Sequence, residues 1–257
     1  MADAYRRLNR LSVTTAQPLL VCLRTLPVAT LSAVDHERAV VAVDSWVMRR
    51  VIVGANTRGY GKRFVDALKG AQAAALAGAS VAEAVERGLL DVGDNMAWMT
   101  DAQTEAAFVS RPFYGAMGQE RLRMILGAID HRMHVEHPRG EHPSFDYDVL
   151  QIEHILPQSW RQYWPVDTDD ETRRALLEQA RESAVNRIGN LTLVTGPLNL
   201  PMSNGQWTDK RSALSEHSNL RLNAWVVSST TWDEETIEAR ARELAAIACR
   251  VWPRPAR

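Results

Sequence analysis

The sequence predicts a mainly α-helical protein that carries one small β-hairpin. Most of the chain has apolar residues three and four positions apart, the spacing of one face of a helix. Two short segments instead alternate apolar and polar residues, as half-buried strands do. The hydrophobic content of 46% over 257 residues is enough to fill a substantial core. We expect a helical region over residues 1–105 and a second domain over residues 106–257.

Four helices are predicted in the first hundred residues. Helical spacing of apolar residues occurs in TAQPLLVCLRTL, DHERAVVAVDSWVMRRVIV, GKRFVDALKGAQAAALAG and SVAEAVERGLL. Ser80 and Glu83 have the spacing of a capping box at the start of the fourth. This half is interpreted as a helical bundle, or as a helical segment that leads into the second domain.

In the second half, predicted helices surround the two strand-like segments. The segments with helical periodicity are TDAQTEAAFVS, GQERLRMILGAIDHRM, DDETRRALLEQARESAV, SNGQWTDKRSALSEH and TTWDEETIEARARELAAIACRVW. Ser203 or Asn204 is the expected cap of the fourth of these, and Thr231 with Glu234 forms a possible capping box for the last.

The charge distribution excludes a protein that is basic over its whole surface. The formal net charge is -1, so any site for a polyanion must be local. Residues 45–65 contain no acid and hold the candidate DNA-binding residues Arg49, Arg50, Arg58, Lys62 and Arg63. Two interpretations stay open for this stretch, a solvated face beside a turn and a loop that contacts phosphates.

The two cysteines favour a cytoplasmic protein with reduced thiols. Cys22 and Cys249 lie in apolar helical patterns far apart, without a CxxC pair or a secretory leader. We expect both in the core. The longest apolar run, PLLVCL, is far too short to cross a bilayer, so no membrane partner is expected.

The stretch LQIEHILPQSW, residues 150–160, has the alternation of a strand with Glu153 and His154 at its centre and Pro157 after them. Successive side chains of a strand point to opposite faces, so the carboxylate and the imidazole need different polar partners. A second short strand is predicted in NRIGNLTLVTGPLN, which ends at a Gly-Pro turn.

These motifs resemble the HNH, or ββα-metal, nuclease module. Its first strand commonly reads [D/E]-H-[I/V]-x-P, and Glu153 to Pro157 match that pattern. Asn190 and Asn199, nine residues apart, match the later polar positions. More narrowly, IEHILPQSW, RIGNLTLVTGPLN and SNGQWTDKRSAL resemble the C-terminal domain of GmrSD-type modification-dependent restriction endonucleases, a family that includes phosphorothioate-sensing antiphage proteins. The core motif lies within residues 150–212, and the resemblance extends from about residue 10 to the end.

The resemblance implies a metal-dependent endonuclease that nicks or cleaves foreign DNA. His154 is then the general base, and Glu153 and Asn199 are ligands of Mg²⁺ or Mn²⁺. Asn190 would brace the loop or orient the imidazole. Asn204 would cap a helix or support the site, and Lys210 would contact a phosphate. In this family an N-terminal sensor domain hydrolyses nucleotides; we expect this chain to be the effector part of a larger protein with such a partner.

Two departures from the module and several simpler interpretations stay open. Between His154 and Asn190 the chain advances 36 positions, more than compact modules use, and the frequent final His is Asn199 here. His154 could be a structural histidine, Asn190 a turn residue and Asn199 a helix cap. The alternative function is a catalytically silent helical module that binds DNA or a protein partner. Oligomeric state is not predicted.

Overall fold

The fold is helical with one small sheet, as predicted. A computed structural model describes residues 1–90, 96–137 and 145–256, apart from the side chains of residues 200 and 201. The chain divides into two compact units: residues 1–104 with 252–257, and residues 105–251. The boundary predicted after residue 105 lies one residue from the division after residue 104. The larger difference is at the C-terminus, where residues from 252 onward group with the first unit.

The first unit consists of helices close to the predicted positions. They are α1 (Ala2–Arg10), α2 (Gln17–Thr25), α3 (Ala33–Val53), α4 (Tyr60–Ala77) and α5 (Val81–Leu90), followed by the start of α6 (Asp101–Ser110). The amide of Glu83 donates to Ser80 Oγ at 3.3 Å, which is one half of the predicted capping box. Gly54, with φ of 75°, ends α3 in the left-handed conformation that glycine adopts without strain.

The second unit holds the hairpin and the helices around it. After the rest of α6 come α7 (Gln119–Glu136), β1 (Gln151–His154), α8 (Trp160–Tyr163), α9 (Glu171–Ala184), β2 (Leu191–Val194), α10 (Gly196–Met202), α11 (Trp207–His217), α12 (Ala224–Ser228) and α13 (Glu234–Val251). The long excursion between the strands is taken up by α8 and α9, so the two strands still pair.

Three helix starts differ from the sequence prediction. The expected Gly-Pro turn after β2 is the first turn of α10, where Pro197 needs no amide partner. Helix α11 begins after Gln206, so neither Ser203 nor Asn204 caps it. At α13 the capping residue is Asp233, whose Oδ1 accepts from the amide of Thr236 at 2.8 Å, rather than Thr231.

Helix α13 fixes the turn that leads into β2. A side chain on Gly189 would collide with the backbone oxygen of Ile237, so the close approach of this turn to α13 requires glycine. From α13 the buried Arg240 donates to the carbonyl oxygens of Gly189 at 2.7 Å and Leu191 at 2.8 Å. Burial lowers the pKa of Arg240 to about 9. These contacts hold the segment that carries Asn190.

Both cysteines are free thiols, and they are half-buried rather than in the core as expected. Burial raises the pKa of the Cys22 thiol. Among the described residues no helix combines the length and the apolar character that crossing a bilayer requires.

Candidate active site

The hairpin places Glu153 and His154 on opposite faces of β1. The strands are antiparallel, with Gln151 opposite Val194 and His154 opposite Leu191. Side chains alternate along a strand, so Glu153 shares a face with Gln151 while His154 points the other way. Both residues of the pair are only 7% exposed. Each therefore needs a protein partner, as the sequence predicted.

The partner of Glu153 is Lys210, from α11. The Lys210 ammonium lies 2.7 Å from Glu153 Oε1 and donates to the backbone oxygen of His154 at 2.6 Å. Burial raises the pKa of Glu153 although the ammonium partly offsets that shift. Burial likewise lowers the pKa of Lys210, against the attraction of the carboxylate. Lys210 is fully buried, so the prediction that it contacts a phosphate is wrong.

The partner of His154 is Asn186, directly after α9. Nε2 of the imidazole lies 3.1 Å from Asn186 Oδ1. The ring of Tyr114 packs edge-on against the imidazole, with 4.5 Å between centroids and 72° between planes. Burial lowers the pKa of His154 to about 4; the hydrogen bond to Asn186 opposes this shift and the Lys210 charge adds to it. The imidazole is therefore neutral near pH 7, the form that accepts a proton.

Asn190 braces the loop after β1 and has no hydrogen bond to the imidazole. Its Oδ1 accepts from the amide of Leu156 at 2.7 Å and from Trp232 Nε1 at 3.0 Å. Its Nδ2 donates to the carbonyl oxygens of Leu156 and Val185, both at 2.8 Å. Of the two contacts expected for Asn190, it makes the one with the loop, whereas the described residue that forms a hydrogen bond with the imidazole is Asn186.

Asn199 lies in α10 against the other end of β1. Its Nδ2 donates to Gln151 Oε1 at 2.7 Å. Its Oδ1 is buried and has no hydrogen-bond partner within the described part of the chain. This oxygen atom is therefore unused by the described residues. The side chain of Asn199 contacts Gln151, which shares a strand face with Glu153, and no described contact joins it to His154. Asn204 is exposed in the turn before α11.

The donor set fits a hard divalent cation only in part. Oxygen atoms from a carboxylate and an amide suit Mg²⁺ or Mn²⁺. However, Glu153 already balances the charge of Lys210. In the ranges the structure describes, no three or more His, Cys, Asp or Glu side chains group as a cation site. A ligand set here would have to include amide oxygens, with Asn199 as the free one.

Two residues of the basic stretch are interior and do not form a DNA-binding face. Arg49 is 1% exposed, donates to the carbonyl of Trp252 at 2.6 Å and pairs with Asp101. Arg50 is equally buried and donates to the carbonyl of Ala97 at 3.1 Å. The expectation that these guanidinium groups contact DNA is wrong, because they are used to satisfy backbone carbonyls inside the first unit.

The rest of the basic stretch is divided between interior and surface. Arg63 is 9% exposed and donates to the carbonyl of Gly88 at 3.1 Å, so its predicted DNA contact is wrong for the same reason. Arg58 and Lys62 are exposed, and Lys62 makes only a surface ion pair with Asp66. These two remain available to a phosphate.

Sequence reasoning missed Asn186 and Tyr114. The carbonyl of Asn186 accepts from the amides of Phe113 at 2.8 Å and Tyr114 at 3.2 Å, which brings the segment after α6 to the imidazole. Asn186 is the first residue of the segment NRIGNLTLVTGPLN, and from sequence it marks only the end of the preceding helix. No periodicity marks Tyr114, which lies in a short irregular stretch between two predicted helices.

The depressed pKa of His154 predicts a loss of stability in acid. In the unfolded chain the imidazole titrates at its ordinary pKa of about 6.5 and in the folded protein at about 4. The stabilisation is complete above pH 6.5 and is lost as the pH falls toward 4, by roughly 3 kcal/mol in total. Urea unfolding at pH 7.5 and 4.5 should show this loss in the wild type and not in His154→Gln.

His217→Gln is the matched control, because its imidazole is 64% exposed. It should follow the wild-type pH dependence. Parallel pH profiles for wild type and His154→Gln would contradict a buried neutral imidazole.

The comparison with known families identifies the region that contains the hairpin. The family described as GmrSD restriction endonucleases, C-terminal domain, matches residues 98–247, which is more than half of the chain. No curated protein matches the sequence.

Proposed function

Because the chain belongs to the family of GmrSD restriction endonuclease C-terminal domains, we propose that its second unit is a metal-dependent DNA endonuclease of the HNH type. The family indicates a restriction-type nuclease whose substrate is DNA. The observation that supports the HNH assignment is His154, a neutral imidazole at the end of β1, next to the loop that Asn190 braces. Cleavage of foreign DNA, under control of a sensor domain elsewhere in a larger protein, is the proposed biological role.

In the proposed reaction His154 acts as the general base. A water loses a proton to the imidazole while its oxygen forms a bond to the phosphorus and the P–O3′ bond breaks. The leaving 3′ oxygen takes a proton from solvent. Glu153 and Asn199 would hold the Mg²⁺ or Mn²⁺ through oxygen atoms, and such a cation supplies positive charge for the transition state. Asn190 keeps the loop after the strand in place, so the position of the imidazole is retained during the reaction.

Removal of the imidazole should abolish most of the cleavage. A supercoiled plasmid incubated with the 257-residue chain and Mg²⁺ or Mn²⁺ should be nicked or linearised by the wild type. General-base catalysis is typically worth about 10²- to 10⁴-fold, and His154→Ala should lose activity by that factor. Equal rates for wild type and His154→Ala would reject the proposal.

His217→Ala is the control for this assay, since that exposed histidine lies in the same unit. It should cleave at the wild-type rate. A chain that binds DNA without cleaving it under any divalent cation would favour a silent binding module instead.

We propose that Arg58 and Lys62 add to DNA affinity through phosphate contacts. Both are exposed cations in a segment without acids before Asp66. Reversal of both charges, Arg58→Glu with Lys62→Glu, should weaken DNA binding. It should also make the negative slope of log K against log salt shallower by about 2. Fluorescence anisotropy with a labelled duplex at several salt concentrations measures this. The charge-matched control, Arg6→Glu with Arg87→Glu, changes two exposed cations on other helices, and an equal effect there would contradict a local contact.

A further inference from the structure

Among the described residues, the hydrogen-bond partner of the His154 imidazole is Asn186. Asn186 Oδ1 lies 3.1 Å from Nε2. The backbone of Asn186 is itself fixed, because its carbonyl accepts from the amides of Phe113 and Tyr114. Tyr114 in turn packs its ring against the imidazole. Asn186 therefore contacts the imidazole from a turn whose backbone is tied by hydrogen bonds to the segment that carries Tyr114.

The chemistry of the amide group determines which ring nitrogen carries the proton. An amide oxygen can only accept a hydrogen bond, so Nε2 must donate to it and hold the proton of the neutral ring. The lone pair is then on Nδ1. Within the described residues Nδ1 has no hydrogen-bond partner, so none of them uses this lone pair. With the opposite tautomer the same contact would place two acceptors against each other.

We infer that Asn186 is the positioning residue for His154: it holds the Nε2–H tautomer and the ring orientation, so that Nδ1 is the atom that takes a proton from water. The inference rests on the proposed function for the identity of that water. Its structural part, a tautomer set by Asn186, is independent of cleavage. Glu153, which the motif pairs with His154 in sequence, cannot have this role because it points to the other face and binds Lys210.

The tautomer can be measured directly. Long-range ¹H–¹⁵N correlation spectra of the ¹⁵N-histidine-labelled chain, with the His154 signals assigned from His154→Gln, distinguish a protonated Nε2 from a protonated Nδ1. The wild type should show Nε2–H. A wild-type ring protonated at Nδ1 would overturn the inference without any variant.

The variants separate positioning from folding. Asn186→Ala removes the acceptor and should give a mixture of both tautomers, with kcat lower by about 10- to 100-fold and KM for DNA little changed. Asn186→Asp retains an acceptor oxygen and should restore the Nε2–H form and most of kcat. The exposed Asn219 supplies matched controls, Asn219→Ala and Asn219→Asp, which should leave spectrum and rate unchanged.

The outcomes distinguish this inference from the proposed function. A tautomer that changes in Asn186→Ala, in a chain that does not cleave DNA, would support the positioning contact and reject the nuclease. Cleavage that depends on His154, with the same tautomer and kcat in wild type and Asn186→Ala, would do the reverse.

Discussion

Lys210→Met should destabilise the protein by about 3–5 kcal/mol, because it leaves the Glu153 carboxylate buried without its counter-charge. The ammonium is fully buried and bonds both Glu153 Oε1 and the backbone oxygen of His154. The methionine side chain fills a similar volume but satisfies neither oxygen. Urea unfolding at pH 7.5 measures the change in the free energy of unfolding.

The paired variant tests the electrostatic cause. Glu153→Met combined with Lys210→Met removes both charges and should be much more stable than Lys210→Met alone, since replacing a buried ion pair by apolar residues is often near neutral. Lys62→Met is the exposed control, with an expected change within about 1 kcal/mol because Lys62 forms only a surface pair with Asp66. A loss below about 1 kcal/mol for Lys210→Met would mean that Glu153 is protonated or solvated in the folded protein.

This ion pair also determines what Glu153 can offer a metal ion. A carboxylate paired with an ammonium attracts a divalent cation less strongly than an unpaired carboxylate does, because the ammonium repels the cation. A Mg²⁺ or Mn²⁺ ion held by Glu153, as proposed, would therefore share the carboxylate with Lys210. Asn199 Oδ1 has no hydrogen-bond partner in the part of the chain that the structure describes, so it would be free of this competition as a ligand of the proposed cation.

The helices were predictable because their hydrophobic period is a local property of the sequence. Helices α3, α4 and α5 lie close to the predicted segments. Helix α1 was not predicted, since its sequence is mostly polar and it is held by distant contacts, including the pair of Arg7 with Asp44 at 2.6 Å. Local periodicity therefore predicts elements that bury an apolar face and misses those stabilised from elsewhere in the chain.

The site shows the same limit. The residue types at 153, 154, 190 and 199 were readable because they lie in two short runs, residues 153–157 and 188–199, each of which matches a family motif locally. The partners of the first two were not: Lys210 is 57 residues from Glu153, and Asn186 is 32 residues from His154. The predicted DNA contacts of Arg49 and Arg50 were wrong for a related reason. A sequence shows the charge of an arginine, but it does not show the distant backbone carbonyls to which a buried guanidinium donates.

Asn190→Ala should destabilise the protein by about 4 kcal/mol or more. Four buried polar groups lose their partner at once: the amide and carbonyl of Leu156, the carbonyl of Val185 and Trp232 Nε1. Each buried group left unsatisfied typically costs about 1–3 kcal/mol, and water can recover only part of that sum. Thermal and urea unfolding followed by circular dichroism measure the effect.

Asn190→Asp separates shape from hydrogen bonding at the same position. A carboxylate has nearly the same outline and keeps the acceptor for Leu156 and Trp232, but it cannot donate to the two carbonyl oxygens and faces them with negative charge. It should therefore be destabilised about as much as Asn190→Ala, whereas Asn219→Ala, on the exposed surface, should stay within about 0.5 kcal/mol of the wild type. If Asn190→Asp retained wild-type stability, the two donated hydrogen bonds would not be what holds the loop after β1, and the position of His154 would depend on packing alone.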